Sequence, residues 1–164
     1  MGGYYATFTE FLGFKPYMDE GKFMGLAAYG KYSKKIQSQL DKFLKYNKSN
    51  GFYKINNKLR YDGKHTFGER FTNEFVKIFG KKRKKNISAL TKPYPDIAFN
   101  VQHRLENIVK LLAKSLYKKN DLQNLCLAGG VAMNCKMNGE LSKEKFIKNI
   151  LMIISSTLEA LTLN

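Results

Sequence analysis

One stretch, residues 125–139, constrains the fold more than any other part of the chain, because its character changes twice. Residues 125–128 are apolar, as in a short buried strand of a parallel sheet. Gly129 and Gly130 follow; without Cβ atoms they allow a positive φ and a close approach of a ligand to the backbone. From Val131 the pattern predicts a helix, whose free N–H groups attract phosphate and carboxylate groups. This order predicts an α/β fold, although an ordinary strand-to-helix connection has the same pattern.

The residues of this stretch also carry a family resemblance. Positions 125–135 read Leu-Cys-Leu-Ala-Gly-Gly-Val-Ala-Met-Asn-Cys, which resembles the glycine motif of the O-carbamoyltransferases that modify antibiotics and nodulation factors. The shorter Gly-Gly-Val-Ala, with Asn134 two residues on, is similar to the motif of the enzymes that form threonylcarbamoyladenosine in transfer RNA. In both families the resemblance implies a nucleotide-binding turn in an actin-like and Hsp70-like fold. It implies that Gly129, Gly130 and Asn134 contact the nucleotide.

A second match to the carbamoyltransferases lies near the N-terminus. Residues 9–14 read Thr-Glu-Phe-Leu-Gly-Phe, and Glu20 and Lys22 stand ahead of Met-Gly-Leu-Ala-Ala-Tyr-Gly at 24–30. Acidic residues at a helix start ordinarily do no more than complement the helix dipole, which is the alternative interpretation of Glu20. The resemblance instead implies that Glu20, Lys22 and Gly25 contact the nucleotide.

The matching segments divide the chain into blocks. Asp-Ile-Ala at 96–98, followed by Gln102 and Glu106, also resembles the family. The blocks are residues 1–30 and 94–141, which match the family, residues 31–93, a variable insert, and residues 142–164, a divergent tail. We therefore expect one partial carbamoyltransferase domain of the actin-like class, with a short helical and β-hairpin insert.

Hydrophobic periodicity predicts most of the remaining helices, and two acidic residues followed by small residues predict the helix at 19–30. Gly25 is expected at a close approach of its helix to a neighbour. The paired Asn56 and Asn57 tolerate a positive φ and predict the turn of a hairpin. The predicted helices are 3–14, ending at Gly13, 19–30, 31–48, 67–79, capped by Gly80, and 96–117, and the predicted hairpin strands are 52–55 and 58–61.

The resemblance implies a chemistry that this chain does not complete. In the family, a separate domain forms carbamoyl-AMP from carbamoyl phosphate and ATP, and a divalent metal, iron, assists transfer of the carbamoyl group to a small-molecule hydroxyl. The metal is held by a His-x-x-x-His pair and the Asp of a Gly-Asp-x-Gly loop. His65 and His103 stand apart and residues 150–164 contain neither Gly nor Asp, so we expect no metal site and an altered tail. We expect an internal piece of a larger enzyme that keeps nucleotide-contacting elements and is inactive as an isolated chain.

The charge of the chain favours a different class of partner. A net charge of +16, from 29 Lys and Arg against 13 Asp and Glu, suits phosphate-rich molecules. The densest cluster, Lys-Lys-Arg-Lys-Lys at 81–85, contains no aromatic residue to stack on bases, which favours a solvated loop over a nucleic-acid arm. A basic RNA-binding or accessory module is the alternative function, and a gene remnant without function is the third.

Composition also bears on location. The longest apolar run, residues 150–154, is too short to span a bilayer, and the N-terminal residues show no signal-peptide pattern. We therefore expect a cytoplasmic protein without membrane contact. Cys126 and Cys135 have no metal-like spacing and are predicted to be small packing residues in a reducing compartment.

Overall fold

The computed structural model describes residues 1–60 and 69–153. These residues form an α/β arrangement of helices with one antiparallel and one parallel two-stranded sheet. Short 3-10 helices span Asn57–Leu59 and Gly130–Met133. The α-helices are α1 (Gly2–Phe11), α2 (Glu20–Ala27), α3 (Lys34–Phe43), α4 (Asn73–Phe79), α5 (Tyr94–Asn120) and α6 (Cys135–Leu141), and the strands are β1 (Leu44–Tyr46), β2 (Tyr53–Ile55), β3 (Asn124–Ala128) and β4 (Asn149–Ile153).

Helix α1 forms where the apolar spacing predicted it, and α2 forms within the segment predicted from its acidic start and small residues. α1 ends ahead of Gly13, which adopts a φ of 77° that other residues resist. After Pro16 the chain re-enters a helix at Glu20, whose Oε1 accepts a 2.6 Å hydrogen bond from the backbone N–H of Tyr17. This bond joins the loop at Tyr17 to the first residue of α2.

Aromatic rings from α1, α3 and α4 form the centre of the core. The ring of Phe8 lies 5.1 Å from that of Phe75 and meets Phe79 edge-on at 5.0 Å. Phe43 closes the cluster from α3, with its ring centroid 5.5 Å from that of Phe75. Each aromatic pair adds about 1 kcal/mol beyond the area it buries. The cluster therefore holds α1 against the segment predicted as an insert.

Helix α5 is the element on which the others are assembled. It packs against α1, α2, α3 and α6. Its buried apolar residues recur at three- and four-residue intervals, as predicted, and include Ile97, Val101, Leu105 and Ile108. The helix is longer than predicted, from 94 to 120. It can start before residue 96 because Pro95 is tolerated in a first turn that needs no amide partner.

The parallel sheet confirms the predicted strand ahead of the glycine pair. β3 and β4 pair in parallel, with Leu125 opposite Ile150 and Cys126 opposite Leu151, and α6 lies on the crossover between them. Leu125 and Ile150 pack on the core, whereas Cys126 and Leu151 are exposed, Leu151 by 63%. The prediction of a fully buried strand was therefore wrong: in the described part of the chain, one face of this sheet packs on the core.

The insert differs from its prediction in the pairing of its strands. α3 ends at Phe43 rather than near residue 48, and β1 follows it directly. β2 pairs with β1, not with residues 58–60 of the predicted second strand; residue 61 lies outside the described residues. The side chain of Asn56 accepts a hydrogen bond from the N–H of Lys58 and starts a 3-10 turn in place of the predicted hairpin turn.

Tertiary packing explains that pairing. Leu44 is completely buried, so the chain passes from helix to strand while remaining in the core. Gly51, with a φ of 78°, lies so close to α5 that an added Cβ would stand 2.7 Å from the carbonyl oxygen of Ile108. Contact with α5 thus places the turn between β1 and β2 upstream of the turn that local asparagine preferences predicted.

Helix α4 is shorter than its prediction and begins with a threonine cap. The N–H of Phe75 donates to Thr72 Oγ1 at 3.4 Å, which starts the helix at Asn73. Residues 67 and 68 of the prediction lie outside the described residues. Gly80 ends α4 with a φ of 89°, as predicted.

The close approach predicted at Gly25 occurs instead at Gly30. A Cβ added to Gly25 would meet nothing within 4 Å. A Cβ added to Gly30 would overlap the carbonyl group of Pro95 and lie 2.7 Å from Phe99 Cβ. α2 and the start of α5 therefore touch just beyond the end of α2, where the backbones converge.

Candidate functional site

A cleft in the described structure lies beside the glycine turn. It has a volume of about 800 Å³ and opens between the starts of α1 and α2 and the end of β3. Its lining is mainly apolar and backbone atoms, with few polar side chains, as in small-molecule sites. The lining residues are Gly2, Gly3, Tyr5, Tyr17, Met18, Glu20, Gly21, Met24, Leu105, Ala128, Gly129, Gly130, Val131, Met133 and Asn134.

The glycine turn has the predicted bend and an unpredicted helix type. Gly129 adopts a φ of 88°, confirming the need for glycine there, and its carbonyl accepts the N–H of Ala132 at 2.9 Å. Gly130 opens a 3-10 helix without a positive φ. The α-helix predicted from Val131 begins only at Cys135, because the tight turn at Gly130–Met133 comes first. The first amides of that turn have no carbonyl partner within it.

Asn134 joins the glycine turn to α6. Its backbone N–H donates to the carbonyl of Val131 at 3.1 Å, and its side-chain Oδ1 accepts the N–H of Met137 at 2.9 Å. The second contact is the N-cap of α6. One residue therefore ends the 3-10 turn and begins the helix.

A buried hydrogen-bond network supports Asn134 from behind. Asn134 Nδ2 donates to Gln102 Oε1 at 2.9 Å, and Gln102 Nε2 donates to Asn134 Oδ1 at 3.0 Å. Gln102 Nε2 also donates to Glu106 Oε1 at 2.8 Å, and Tyr5 Oη donates to Gln102 Oε1 at 2.7 Å. Burial raises the pKa of the Tyr5 hydroxyl above its ordinary value, so this group is a neutral donor. Lys136 Nζ lies 3.9 Å from Glu106 Oε1.

The structure brings together four of the six residues predicted to contact a nucleotide. Glu20, Gly129, Gly130 and Asn134 line the cleft. Lys22 and Gly25 do not. The ammonium group of Lys22 pairs with Asp19 at 2.8 Å on the surface and lowers the pKa of that carboxyl group. Lys22 and Gly25 lie on α2 among the residues that do line the cleft, Glu20, Gly21 and Met24, but are not part of the lining themselves.

Sequence reasoning missed the contribution of the N-terminal residues to the cleft. Gly2 and Gly3 line it, and the guanidinium group of Arg60 lies close behind Gly3. Tyr17 and Met18 form part of its rim, with exposures of 62% and 68%. The adjacent glycines at positions 2 and 3 were the available signal, since they leave room at the start of a helix.

The described residues contain no group of three His, Cys, Asp or Glu side chains that could hold a metal ion. His103 lies between the rings of Phe99, stacked at 5.9 Å, and Tyr32, edge-on at 5.7 Å. Its Nε2 is 3.1 Å from Asn107 Nδ2. His65 lies outside the described residues. A divalent metal therefore has no fitting donor set in the part of the chain that the structure describes.

Two residues of the basic cluster at 81–85 make contacts within the folded chain. Lys82 pairs with Glu69 at 2.9 Å. Arg83 is buried and donates hydrogen bonds to the backbone carbonyls of Leu12 and Ile87. These contacts leave Lys81, Lys84 and Lys85 pointing to solvent.

The two cysteines of the chain lie at the surface. Cys126 and Cys135 are exposed, so their prediction as packing residues was wrong; the open face of β3 and the first turn of α6 leave both thiols accessible. Cys135 Sγ lies 3.7 Å from Met24 Sδ.

Every helix among the described residues is too short or too polar to cross a membrane.

Comparison with known proteins identifies the family to which the sequence is similar. Residues 1–155 match the family described as Carbamoyltransferase N-terminus. An uncharacterized protein of Synechocystis, sll1178, is 40% identical over 151 residues, which are 92% of this chain and 24% of that protein. The nodulation protein NolNO of Sinorhizobium fredii is 28% identical over 92% of this chain and 20% of its own length. The nodulation protein NolO of Bradyrhizobium diazoefficiens is 29% identical over 86% and 23%. The chain thus spans less than a quarter of each of these relatives.

Proposed function

Because this chain belongs to the carbamoyltransferase family, matching its N-terminal region over residues 1–155, we propose that it supplies part of a nucleotide site for carbamoyl transfer. The proposed ligand is an adenine nucleotide, either ATP or the carbamoyl-AMP made from it and carbamoyl phosphate. The proposed acceptor is a hydroxyl group of a small molecule. The proposed fold context is an actin-like domain.

One observation carries the proposal: the glycine turn lies at the carboxyl end of a parallel strand and opens into the cleft. Ligands of open α/β sheets bind outside the carboxyl ends of the strands. Gly129 and Gly130 have open space where a Cβ would stand, so a ligand can reach the backbone. The first amides of the 3-10 turn can donate to phosphate oxygens without any side-chain chemistry.

The rim of the cleft suits the other end of a nucleotide. Tyr17, Met18 and Met133 line it and are exposed by 62%, 68% and 60%. Aromatic and thioether side chains make favourable contacts with a planar base. Among the described residues that line the cleft, Glu20 is the one with a charged side chain. We propose that it accepts hydrogen bonds from ribose hydroxyls rather than contacting phosphate, which it would repel.

The role we propose for this chain is nucleotide binding, without a catalytic step. The described residues offer no donor set for the metal that the family resemblance implies, so no transfer step is assigned to this chain's own side chains. The proposed role is to hold and orient the nucleotide. Groups that act on the carbamoyl carbon belong, in this proposal, to other parts of a complete enzyme.

The test is calorimetric titration of the chain with AMP and ATP. We expect weak saturable binding that Gly130→Val weakens by at least about tenfold, since the added side chain would occupy the ligand's approach to the backbone. Gly130 has an ordinary φ and open surroundings, so its replacement leaves the fold intact. Gly139→Ala is the matched control, because Gly139 is also exposed and open but lies on α6, outside the residues that line the cleft.

Two results would contradict the proposal. One is the absence of AMP and ATP binding to a chain that is folded by circular dichroism. The other is unchanged affinity in Gly130→Val. Stoichiometric metal in the purified chain, or carbamoyl transfer by the chain alone, would show that it holds more than a nucleotide cradle.

A further inference from the structure

The network behind the glycine turn divides into two layers. Tyr5 and Asn134 line the cleft. Gln102 and Glu106 lie behind them on α5 and are enclosed, with exposures of 0% and 7%. The enclosed pair therefore cannot reach a ligand in the cleft, but Gln102 forms hydrogen bonds to both Tyr5 and Asn134, which can.

Hydrogen-bond chemistry determines the direction of every bond in this network. The N–H of Met137 can only donate, so the Asn134 atom beside it is the oxygen. The Asn134 amide nitrogen then faces Gln102 Oε1, which places Gln102 Nε2 toward Glu106 Oε1 at 2.8 Å. An ionised carboxylate only accepts, so Glu106 opposes a flip of the Gln102 amide. With Gln102 Oε1 directed outward, the hydroxyl of Tyr5 is a donor to it.

We propose that Gln102 and Glu106 are positioning residues that hold Asn134 and Tyr5 in the orientation the cleft requires. The ligand part of this inference rests on the proposed nucleotide site. Asn134 ends the 3-10 turn that starts at Gly130, so its placement decides where the first amides of that turn point. Leaving a buried polar group without its hydrogen-bond partner costs far more free energy than leaving an exposed one. The bonds between Gln102 and Asn134 are therefore costly to break, and they restrict the orientation of Asn134.

The first experiment reads the network without any ligand. In Gln102→Leu, amide hydrogen exchange of Met137 should speed up by at least about tenfold, because Asn134 loses the two bonds that keep its oxygen on that amide. Asn100→Leu is the matched control. Asn100 is also fully buried on α5, but its side chain bonds to Lys31 and Ser33, away from the cleft. Equal Met137 protection in the two variants would overturn the inference.

The second experiment uses AMP as the probe in a double-mutant cycle with Asn134→Ala. Gln102→Leu should weaken AMP affinity by about tenfold in the wild-type background and have no further effect once Asn134 is replaced. Additive losses would show that Gln102 acts through general stability and would overturn the positioning role. If the wild-type chain does not bind AMP, the proposed function fails, while Met137 exchange still decides the role of Gln102.

Glu106→Gln covers the case in which Gln102→Leu does not fold. This variant keeps the shape of the side chain and removes its acceptor-only character. We expect faster Met137 exchange than in the wild type, since the Gln102 amide is then free to flip. Exchange identical to the wild type would show that Glu106 does not orient the network.

Discussion

The hydroxyl of Tyr5 donates a 2.7 Å hydrogen bond to Oε1 of Gln102, a residue 97 positions away in the chain. The hydroxyl of Tyr4, one position earlier, is buried without a hydrogen-bond partner among the residues that the structure describes. Burial raises the pKa of both hydroxyls. Two adjacent tyrosines on α1 thus bury the same group with opposite consequences: one connects α1 to the cleft network, and the other pays a desolvation cost.

This difference predicts opposite effects of removing the two hydroxyls. Tyr5→Phe should lower the free energy of unfolding by about 1 kcal/mol, because a satisfied buried bond is lost. Tyr4→Phe should leave it unchanged or raise it by about 1 kcal/mol, because an unsatisfied group is removed. Urea unfolding followed by circular dichroism measures both. Equal destabilisation by the two substitutions would contradict the assigned network.

Two glycines of the same segment should respond differently to alanine. Gly30→Ala should destabilise the fold by about 3 kcal/mol, because its Cβ would overlap the backbone of Pro95, which cannot move aside as a flexible side chain would. Gly25→Ala should be neutral or stabilising by up to about 1 kcal/mol, since it adds a helix-favouring residue in open space within α2. Thermal unfolding of the two variants compares them directly. A larger loss of stability in Gly25→Ala than in Gly30→Ala would show that the contact between α2 and α5 is not at Gly30.

The pH dependence of stability should carry a contribution from His103. Burial lowers the pKa of His103 below its ordinary value of 6.5; Lys110, Lys136 and Arg104 act in the same direction, and Glu106 opposes them. The fold therefore favours the neutral ring. Its contribution to stability is present above the unfolded pKa and is lost as pH falls through the lower, folded pKa.

The measurement is urea unfolding at about pH 7.5 and about pH 5 for the wild type and for His103→Gln. The wild type should lose more stability between these pH values than the variant, which has no imidazole at this position to protonate. His65 is present in both proteins and cancels in the comparison. An identical loss in both proteins would show that His103 does not favour its neutral form in the fold.

Binding to RNA, the alternative function, should be weak, independent of sequence and sensitive to salt. The net charge of +16 supplies counterion release, whereas Arg83 is buried and Lys82 is paired, so the densest cluster offers little organised contact. Filter binding with poly(U) and poly(A) should show similar affinities that fall steeply between about 50 mM and about 200 mM salt. Tight, salt-resistant binding to one RNA sequence would instead favour the RNA-binding module.

Local signals in the sequence determined the elements whose residues carry their own structural preferences. The apolar run and glycine pair determined β3 and the bend at Gly129, since a φ of 88° is open to glycine and resisted by other residues. The three- and four-residue apolar spacing determined α1 and α5 in the same way. Glu20, Gly129, Gly130 and Asn134 were predicted from motifs, and the fold places all four at one cleft.

Only the tertiary structure decided which distant residues meet. Asparagine preference predicted a hairpin at Asn56, but burial of Leu44 and the docking of Gly51 on α5 favoured pairing of β2 with β1. A three-residue strand gains little from local preference, so its partner is chosen by the core it packs on. The bond from Tyr5 to Gln102 likewise joins two helices far apart in the chain, and no local pattern encodes it. It exists because α1 and α5 bury their apolar faces against each other, which brings two polar side chains together where water is excluded.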